Sequence, residues 1–334
     1  MDKKVMFAVA GSGKTTTIIN SITRDKRFLI ITYTNSNYDN LAEKIVSKYN
    51  GSWPENVTLM KFFQFLYRFC YRPFLADQYK ARGIVFESNS NFYLSNNQKS
   101  YYLTSSGYFY SNRLSLFLEK TGVIDNIRDR IKTYFDVFII DEVQDIAGRD
   151  FTFLEHIMET NVDMLFVGDY FQHTYDTSRD GNANKNLFDN QIQYEERFLA
   201  KNVILDHKTL VNSWRCSRSV CDFISANLGI TIHSNRSDDT SICFVDDEEN
   251  REVILNDNRI IKLHYQNSSK FGVGHKNWGD TKGEDCYQDV CIMLNKTTMK
   301  KCKTGKLSEL RPLTRNKLYV AITRAHGNVY LMEE

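Results

Sequence analysis

Val5-Met6-Phe7-Ala8-Val9-Ala10-Gly11-Ser12-Gly13-Lys14-Thr15-Thr16-Thr17-Ile18-Ile19 decides the fold class of this chain. The apolar run from Val5 to Val9 reads as a buried strand, the glycines as a turn, and Thr17, Ile18, Ile19 and Ile22 as the apolar face of a helix. Phe28 to Thr32 supplies a second strand, so the chain opens as a βαβ unit on a parallel sheet. In such a turn the backbone N–H groups of Ala10, Gly11, Ser12 and Gly13 and the helix N-terminus face one anionic point, which suits a triphosphate. Lys14 is placed to reach the β- and γ-phosphates and the Thr15 hydroxyl to hold Mg²⁺, with Thr16 beside them.

Further along, Phe135 to Ile140, broken only by Asp136, and Met164 to Val167 are apolar runs of strand length. Each is followed closely by an acidic residue, as strands are when their carboxyl ends carry a site. Alone, Asp141-Glu142-Val143-Gln144-Asp145 is a solvated acidic turn. Directly after a buried strand, its first two carboxylates can divide labour: Asp141 orders the Mg²⁺ shell while Glu142 orients and deprotonates a water. A kinase or a simple guanine-nucleotide switch has no need of a glutamate there.

The chain has 334 residues, 42% of them hydrophobic and 13% aromatic, enough for two domains with buried cores and too apolar for disorder. Lys and Arg number 43 against 41 Asp and Glu, so any nucleic-acid site is a local groove and not a global basic field. The seven cysteines form no CxxC pair and read as reduced thiols. With no signal-like N-terminus and no run of eighteen apolar residues, the expectation is a cytoplasmic protein without a membrane span.

The first domain is expected to cover residues 1–195, with an inserted, partly helical subdomain at about 62–132, where aromatic residues cluster around Phe62, Phe63 and Tyr67 as packing. Strand and helix signals resume from Val203, so residues 196–334 are expected to form a second α/β domain.

Together these segments resemble the UvrD/Rep group of superfamily 1 DNA helicases. Beside the loop Ala10–Thr15 and the box Asp141–Asp145, Thr32-Tyr33-Thr34-Asn35 resembles the family's segment that touches single-stranded DNA, and Gly168-Asp169-Tyr170-Phe171-Gln172 the motif whose glutamine senses the γ-phosphate. Asn212-Ser213-Trp214-Arg215 resembles the motif whose aromatic stacks on adenine and whose arginine meets the γ-phosphate. Thr281-Lys282-Gly283-Glu284 resembles a nucleotide contact, in which either Glu284 or Asp285 meets the ribose. Tyr319 to Ala325 resembles the last motif, with Arg324 as its arginine finger.

The resemblance implies two RecA-like P-loop NTPase domains, ATP and Mg²⁺ as ligands, and translocation or unwinding of single-stranded DNA, in preference to RNA, with 3′ to 5′ polarity. It makes Lys14, Glu142, Gln172, Arg215 and Arg324 catalytic. Trp214, Gly283 and Glu284 join residues 10–16 around the nucleotide, and Tyr33, Asn35 and Tyr175 touch the strand. Three departures matter. No glutamine precedes the loop among residues 1–7 to read the adenine, Asp176-Thr177-Ser178-Arg179 stands where the family has an aromatic–arginine pair, and the Arg215–Lys282 span lacks the large second-domain insertion. The motif set makes a compact motor the leading expectation; the missing insertion and missing aromatic favour the alternative, a nucleic-acid-stimulated ATPase switch that recruits or gates a partner nuclease.

Overall fold

The first apolar run becomes strand β1 (Lys3–Phe7) in the computed structural model, which describes residues 2–87, 89, 91, 93–174 and 181–334. It sits two residues earlier than expected, because Ala8 and Val9 already belong to the turn that Gly11 completes with φ +70°. The described residues form two compact units, each assembled from separated segments. The first comprises Met1–Met6, Thr15–Gly168 and Asp176–Asp206; the second comprises Phe7–Lys14, Asp169–Tyr175 and His207–Glu334.

In the first unit, β2 (Phe28–Thr32), β3 (Val57–Lys61), β6 (Val137–Asp141), β7 (Asp163–Gly168) and β8 (Ile204–Asp206) join β1 in a six-stranded sheet of order β3-β2-β6-β7-β1-β8, while β4 (Gly83–Val85) and β5 (Tyr108–Tyr110) pair separately. The strand pairs β2–β3, β2–β6, β6–β7 and β1–β8 are parallel, with Ile31 opposite Ile140, Asp141 opposite Val167 and Lys4 opposite Ile204. All five residues of β2 and of β6 are buried, which is why both read as unbroken apolar runs. Their carboxyl ends lie at one edge of the sheet, and Asp141 is the last residue of β6.

The expected insertion lies between β3 and β6. Its helices Phe62–Gln64, Phe65–Tyr71 and Arg72–Tyr79 run on from one another, the middle one wound as a π-helix. The aromatic residues of this region pack among themselves: Tyr71 lies 4.8 Å from Phe109, and Phe117 lies 4.9 Å from Phe109 and 4.8 Å from Tyr79, between ring centroids.

In the second unit, β9 (Asn212–Ser213) pairs with β10 (His233–Ser234). Strands β11 (Ile242–Phe244), β12 (Ile261–His264), β13 (His275–Asn277), β14 (Val290–Leu294) and β15 (Val329–Glu333) form a parallel sheet of order β11-β15-β14-β12-β13. Its core gathers Val290, Ile292 and Leu294 of β14 with Trp278, Leu318, Tyr319 and Ile322, and the loop residues Val9 and Ala10 belong to the same cluster. The helices are capped locally. Asn295 accepts from the Thr298 N–H at the start of Lys296–Lys303, and Asp247 from the Asn250 N–H at the start of Glu248–Asn256. All seven cysteines are free thiols, as expected. No helix among the described residues is long and apolar enough to cross a membrane.

Candidate functional site

The first unit holds the acidic half of the constellation. Thr15 is half-buried and Thr16 exposed on the opening turn of the Lys14–Ser21 helix. Asp141, buried at the end of β6, accepts from the Thr32 hydroxyl at 3.5 Å. Glu142 follows in the left-handed region, φ 56° and ψ 51°, a conformation that costs a non-glycine residue of order 1 kcal/mol and is kept where the surroundings impose it. Its carboxylate accepts from Nε2 of Gln144. Gln144 in turn packs on Gly168, where a Cβ would come within 2.3 Å of Gln144 Oε1, so only glycine fits at the end of β7. Nothing in the sequence pattern marks Gln144 for a role; in the structure its amide holds the carboxylate of the candidate base.

The two described strand-contact candidates lie close together. The Thr34 hydroxyl accepts from the Asn37 N–H and caps the Asn35–Lys48 helix, leaving Asn35 exposed with its Oδ1 accepting from Lys61 Nζ at 2.8 Å. Tyr33 is half-buried, its ring 5.9 Å from Phe62 and 5.6 Å from Phe63, and Phe63 lies 5.1 Å from the exposed Phe86. Tyr175, the third candidate, lies outside the described residues.

The second unit holds the loop and the cationic half. Gly11 and Gly13 both have positive φ, +70° and +89°. A Cβ on Gly11 would approach Arg215 Cβ to 2.6 Å, and the Gly11 carbonyl accepts from the Trp214 N–H at 2.9 Å, so loop and Trp214-Arg215 segment are in direct contact. Trp214 is 68% exposed. Gln172, buried, donates through Nε2 to Asp169 Oδ2 at 2.9 Å; the same oxygen accepts from the Tyr319 hydroxyl at 3.0 Å, and that hydroxyl accepts from the Ala10 N–H at 2.9 Å. Burial, with Asp169 alongside, raises the Tyr319 phenol well above its ordinary range and keeps its proton in place. Asp169 and Tyr319 stand inside two motifs singled out in the sequence, yet nothing local marks them as partners 150 residues apart.

Arg215 donates through Nε to Asp285 Oδ1 at 2.6 Å, and that oxygen also meets His326 Nε2 at 2.7 Å. Arg324 is fully buried, with Nη1 donating to the Glu284 carbonyl at 2.9 Å and Nε to the Val320 carbonyl at 3.2 Å. Burial, and secondarily the charge of Arg215, lowers its guanidinium to about 10. Gly283 has φ +85°, and the Glu284 carboxylate is engaged by Lys276 and by the Tyr287 hydroxyl.

The loop fits a phosphate group. Its two glycines take left-handed backbone, a helix opens directly after it, and Ser12 Oγ is buried with no hydrogen-bond partner among the described residues. A hydroxyl at Thr15 and a carboxylate at Asp141 are the hard oxygen donors that Mg²⁺ takes alongside phosphate oxygens.

Residues 2–178, more than half of the chain, match the model of the AAA domain family. The chain belongs to the AAA domain family. The match to the AAA domain takes in the phosphate loop, the Asp141–Asp145 box and Gln172. No curated protein matches the chain. Among solved structures, this AAA-domain chain resembles Arterivirus nonstructural protein 10 (helicase) in complex with DNA, at 13% identity and a TM-score of 0.52, covering 98% of this chain and 60% of that one. The crystal structure of Arterivirus nonstructural protein 10 (helicase) gives 13% identity and a TM-score of 0.52 over 98% and 59% of the two chains. The likeness is one of fold: the expected α/β architecture of parallel, RecA-like P-loop NTPase sheets is the one observed. The chain spans about 60% of the length of that helicase.

Proposed function

We propose that the chain is an ATP-dependent motor resembling the UvrD/Rep helicases, translocating 3′ to 5′ on single-stranded DNA in preference to RNA. The observation that carries this reading is the loop itself: left-handed Gly11 and Gly13, a helix opening at Lys14, and a buried Ser12 hydroxyl unpartnered among the described residues. The similar Arterivirus helicase, solved with DNA, supports a nucleic-acid track. In this reading residues 1–195 form the ATP-binding domain and 196–334 the domain with both arginines, acting in the cytoplasm with a protein partner such as a nuclease.

Lys14 and the remaining loop N–H groups bind the phosphates; of the four expected donors, the Ala10 N–H is instead held by the Tyr319 oxygen and the Ser12 N–H by the Val9 carbonyl. The exposed Trp214 side chain stacks on the base. Mg²⁺ held by Thr15 and Asp141 would neutralise phosphate charge. Glu142 accepts the proton of the attacking water as its oxygen bonds to the γ-phosphorus and the bridging P–O bond breaks. Gln172 senses the γ-phosphate, and Arg215 and Arg324 stabilise the charge that develops on it, a contribution of about 10³ to 10⁵ in rate for arginine fingers in general. Tyr33 and Asn35 contact the strand, where stacking contributes about 1 to 3 kcal/mol per base.

The test is the ATPase rate of the purified chain with single-stranded DNA, single-stranded RNA and duplex DNA, with Glu142→Gln as the blank. Strong stimulation by one single strand supports the motor and identifies its track, and a strand blocked at either end reads the polarity. Slow turnover that no strand stimulates overturns the motor in favour of a partner-gated ATPase switch.

A further inference from the structure

Four groups in the second unit form one buried chain of hydrogen bonds: Gln172 Nε2 to Asp169 Oδ2, Tyr319 O–H to the same oxygen, and Ala10 N–H to the Tyr319 oxygen, at 2.9, 3.0 and 2.9 Å. Ala10, Asp169 and Tyr319 are fully buried and Gln172 nearly so, away from bulk solvent, where hydrogen bonds within a network are worth most. The chain joins three pieces distant in sequence: the phosphate loop, the motif carrying the candidate γ-phosphate sensor, and the Pro312–Ile322 helix, whose end leads into Arg324. Asn316 on the same helix donates to the His173 carbonyl at 3.0 Å, a second tie between helix and sensor motif. The rest of the Tyr319 side chain sits in the core with Leu318 and Ile322, so the helix cannot shift or turn without moving the hydroxyl.

We propose that Tyr319 is a positioning residue that couples the phosphate loop to the γ-phosphate sensor: its hydroxyl sets the place of Asp169, and through it of Gln172, according to the state of the loop at Ala10. This rests on the motor reading above and deepens it. Tyrosine is required for both halves of the role, because the oxygen donates to the carboxylate and accepts from the amide at once. Phenylalanine keeps the ring packing and removes both bonds. Asp169 then keeps Gln172 and, through Oδ1, the Phe171 N–H at 3.1 Å, but loses the donor that ties it to the Pro312–Ile322 helix, and the loop amide at Ala10 loses its acceptor.

The experiment compares the unaltered chain, Tyr319→Phe, Gln172→Ala and the double variant, measuring Mg²⁺-dependent binding of a fluorescent ATP analogue and steady-state ATP hydrolysis, with circular dichroism confirming the fold. Tyr319→Phe is expected to lower kcat by about ten- to a hundredfold while shifting nucleotide affinity less than threefold. Because Tyr319 acts through Gln172, the double variant is expected to be no slower than Gln172→Ala alone. Wild-type turnover in Tyr319→Phe overturns the coupling, as does a full multiplicative loss in the double variant. If Tyr319→Phe does not fold, hydrogen exchange in the unaltered chain decides. Nucleotide must then change protection in residues 312–322 together with residues 7–14, and a change confined to 7–14 overturns the proposal. An unaltered chain that binds no nucleotide would instead sink the motor reading, so the two failures are distinguishable.

Discussion

Arg215 Nε donates to Asp285 Oδ1 at 2.6 Å, so one of the two candidate γ-phosphate arginines is held by a carboxylate of its own unit. Burial acts to raise the Asp285 carboxyl, but the hydrogen bond and charge of Arg215, with His326, hold it below its ordinary value. In the motor reading Arg215 must leave this partner for a phosphate. Asp285→Asn is therefore expected to raise basal ATP turnover about three- to tenfold and to shrink stimulation by single strands, read by phosphate release with and without DNA. A fall in nucleotide affinity instead would make Asp285 the ribose contact.

Lys14→Ala and Glu142→Gln separate binding from chemistry. The first removes a cation from the proposed phosphate site and is expected to weaken nucleotide binding and abolish turnover. The second preserves shape and donor reach and is expected to bind normally while hydrolysis falls by about three orders of magnitude or more. Equilibrium binding and single-turnover phosphate release check the pair, and normal turnover in Glu142→Gln removes the general base.

Gly11 and Gly13 share a left-handed backbone but not their surroundings. Gly11→Ala places a methyl 2.6 Å from Arg215 Cβ, whereas among the described residues nothing lies within 4 Å of a methyl at Gly13. Gly13→Ala is expected to lower stability by about 1 kcal/mol from backbone strain alone, and Gly11→Ala by about 2 to 4 kcal/mol, in urea unfolding. Equal losses would contradict the close approach of Arg215 to the loop.

Arg324 is both a proposed finger and a buried cation whose donors meet backbone carbonyls. Arg324→Ala is expected to lower turnover about a thousandfold and stability by roughly 2 kcal/mol, since those carbonyls lose a charged donor. Unchanged turnover would remove the finger from the mechanism whatever the stability.

Glu119, on the Ser111–Lys120 helix, has its carboxyl raised to about 7, chiefly by burial and in spite of Arg149 and Lys120. Its folded-state value thus exceeds the ordinary 4.5, so its contribution is intact below pH 4.5 and is lost as pH rises through 7. Glu119→Gln is expected to stabilise the chain by roughly 2 kcal/mol at pH 8 and to be neutral near pH 4, measured by urea midpoints. A gain independent of pH would point to packing instead.

Where burial is symmetrical, sequence and structure agree closely. Phe28–Thr32 is the expected strand residue for residue, because both of its faces are covered, and Val290–Leu294 is likewise an unbroken apolar run buried along its whole length. Edge strands are less legible: β3, Val-Thr-Leu-Met-Lys, is only partly buried and merges into the aromatic run that follows, and β13, His-Lys-Asn, carries no apolar signal at all. The site shows the same division. Residues that act through local geometry, such as Gly11, Gly13 and Asp141, stand out from spacing and context. Gln144, Asp169 and Tyr319 act through contacts that exist only after distant segments meet. All three stand inside candidate motifs of the sequence, which does not say what they touch.

The pairing of Lys4 in β1 with Ile204 in β8 also has a consequence for synthesis. At about 5 to 20 residues per second, the ribosome leaves that side of β1 without its neighbour for roughly 10 to 40 seconds after the strand is made. Throughout that interval an apolar edge stays open to aggregation or to a chaperone, and the nascent chain's safety rests on how quickly residues 204–206 emerge.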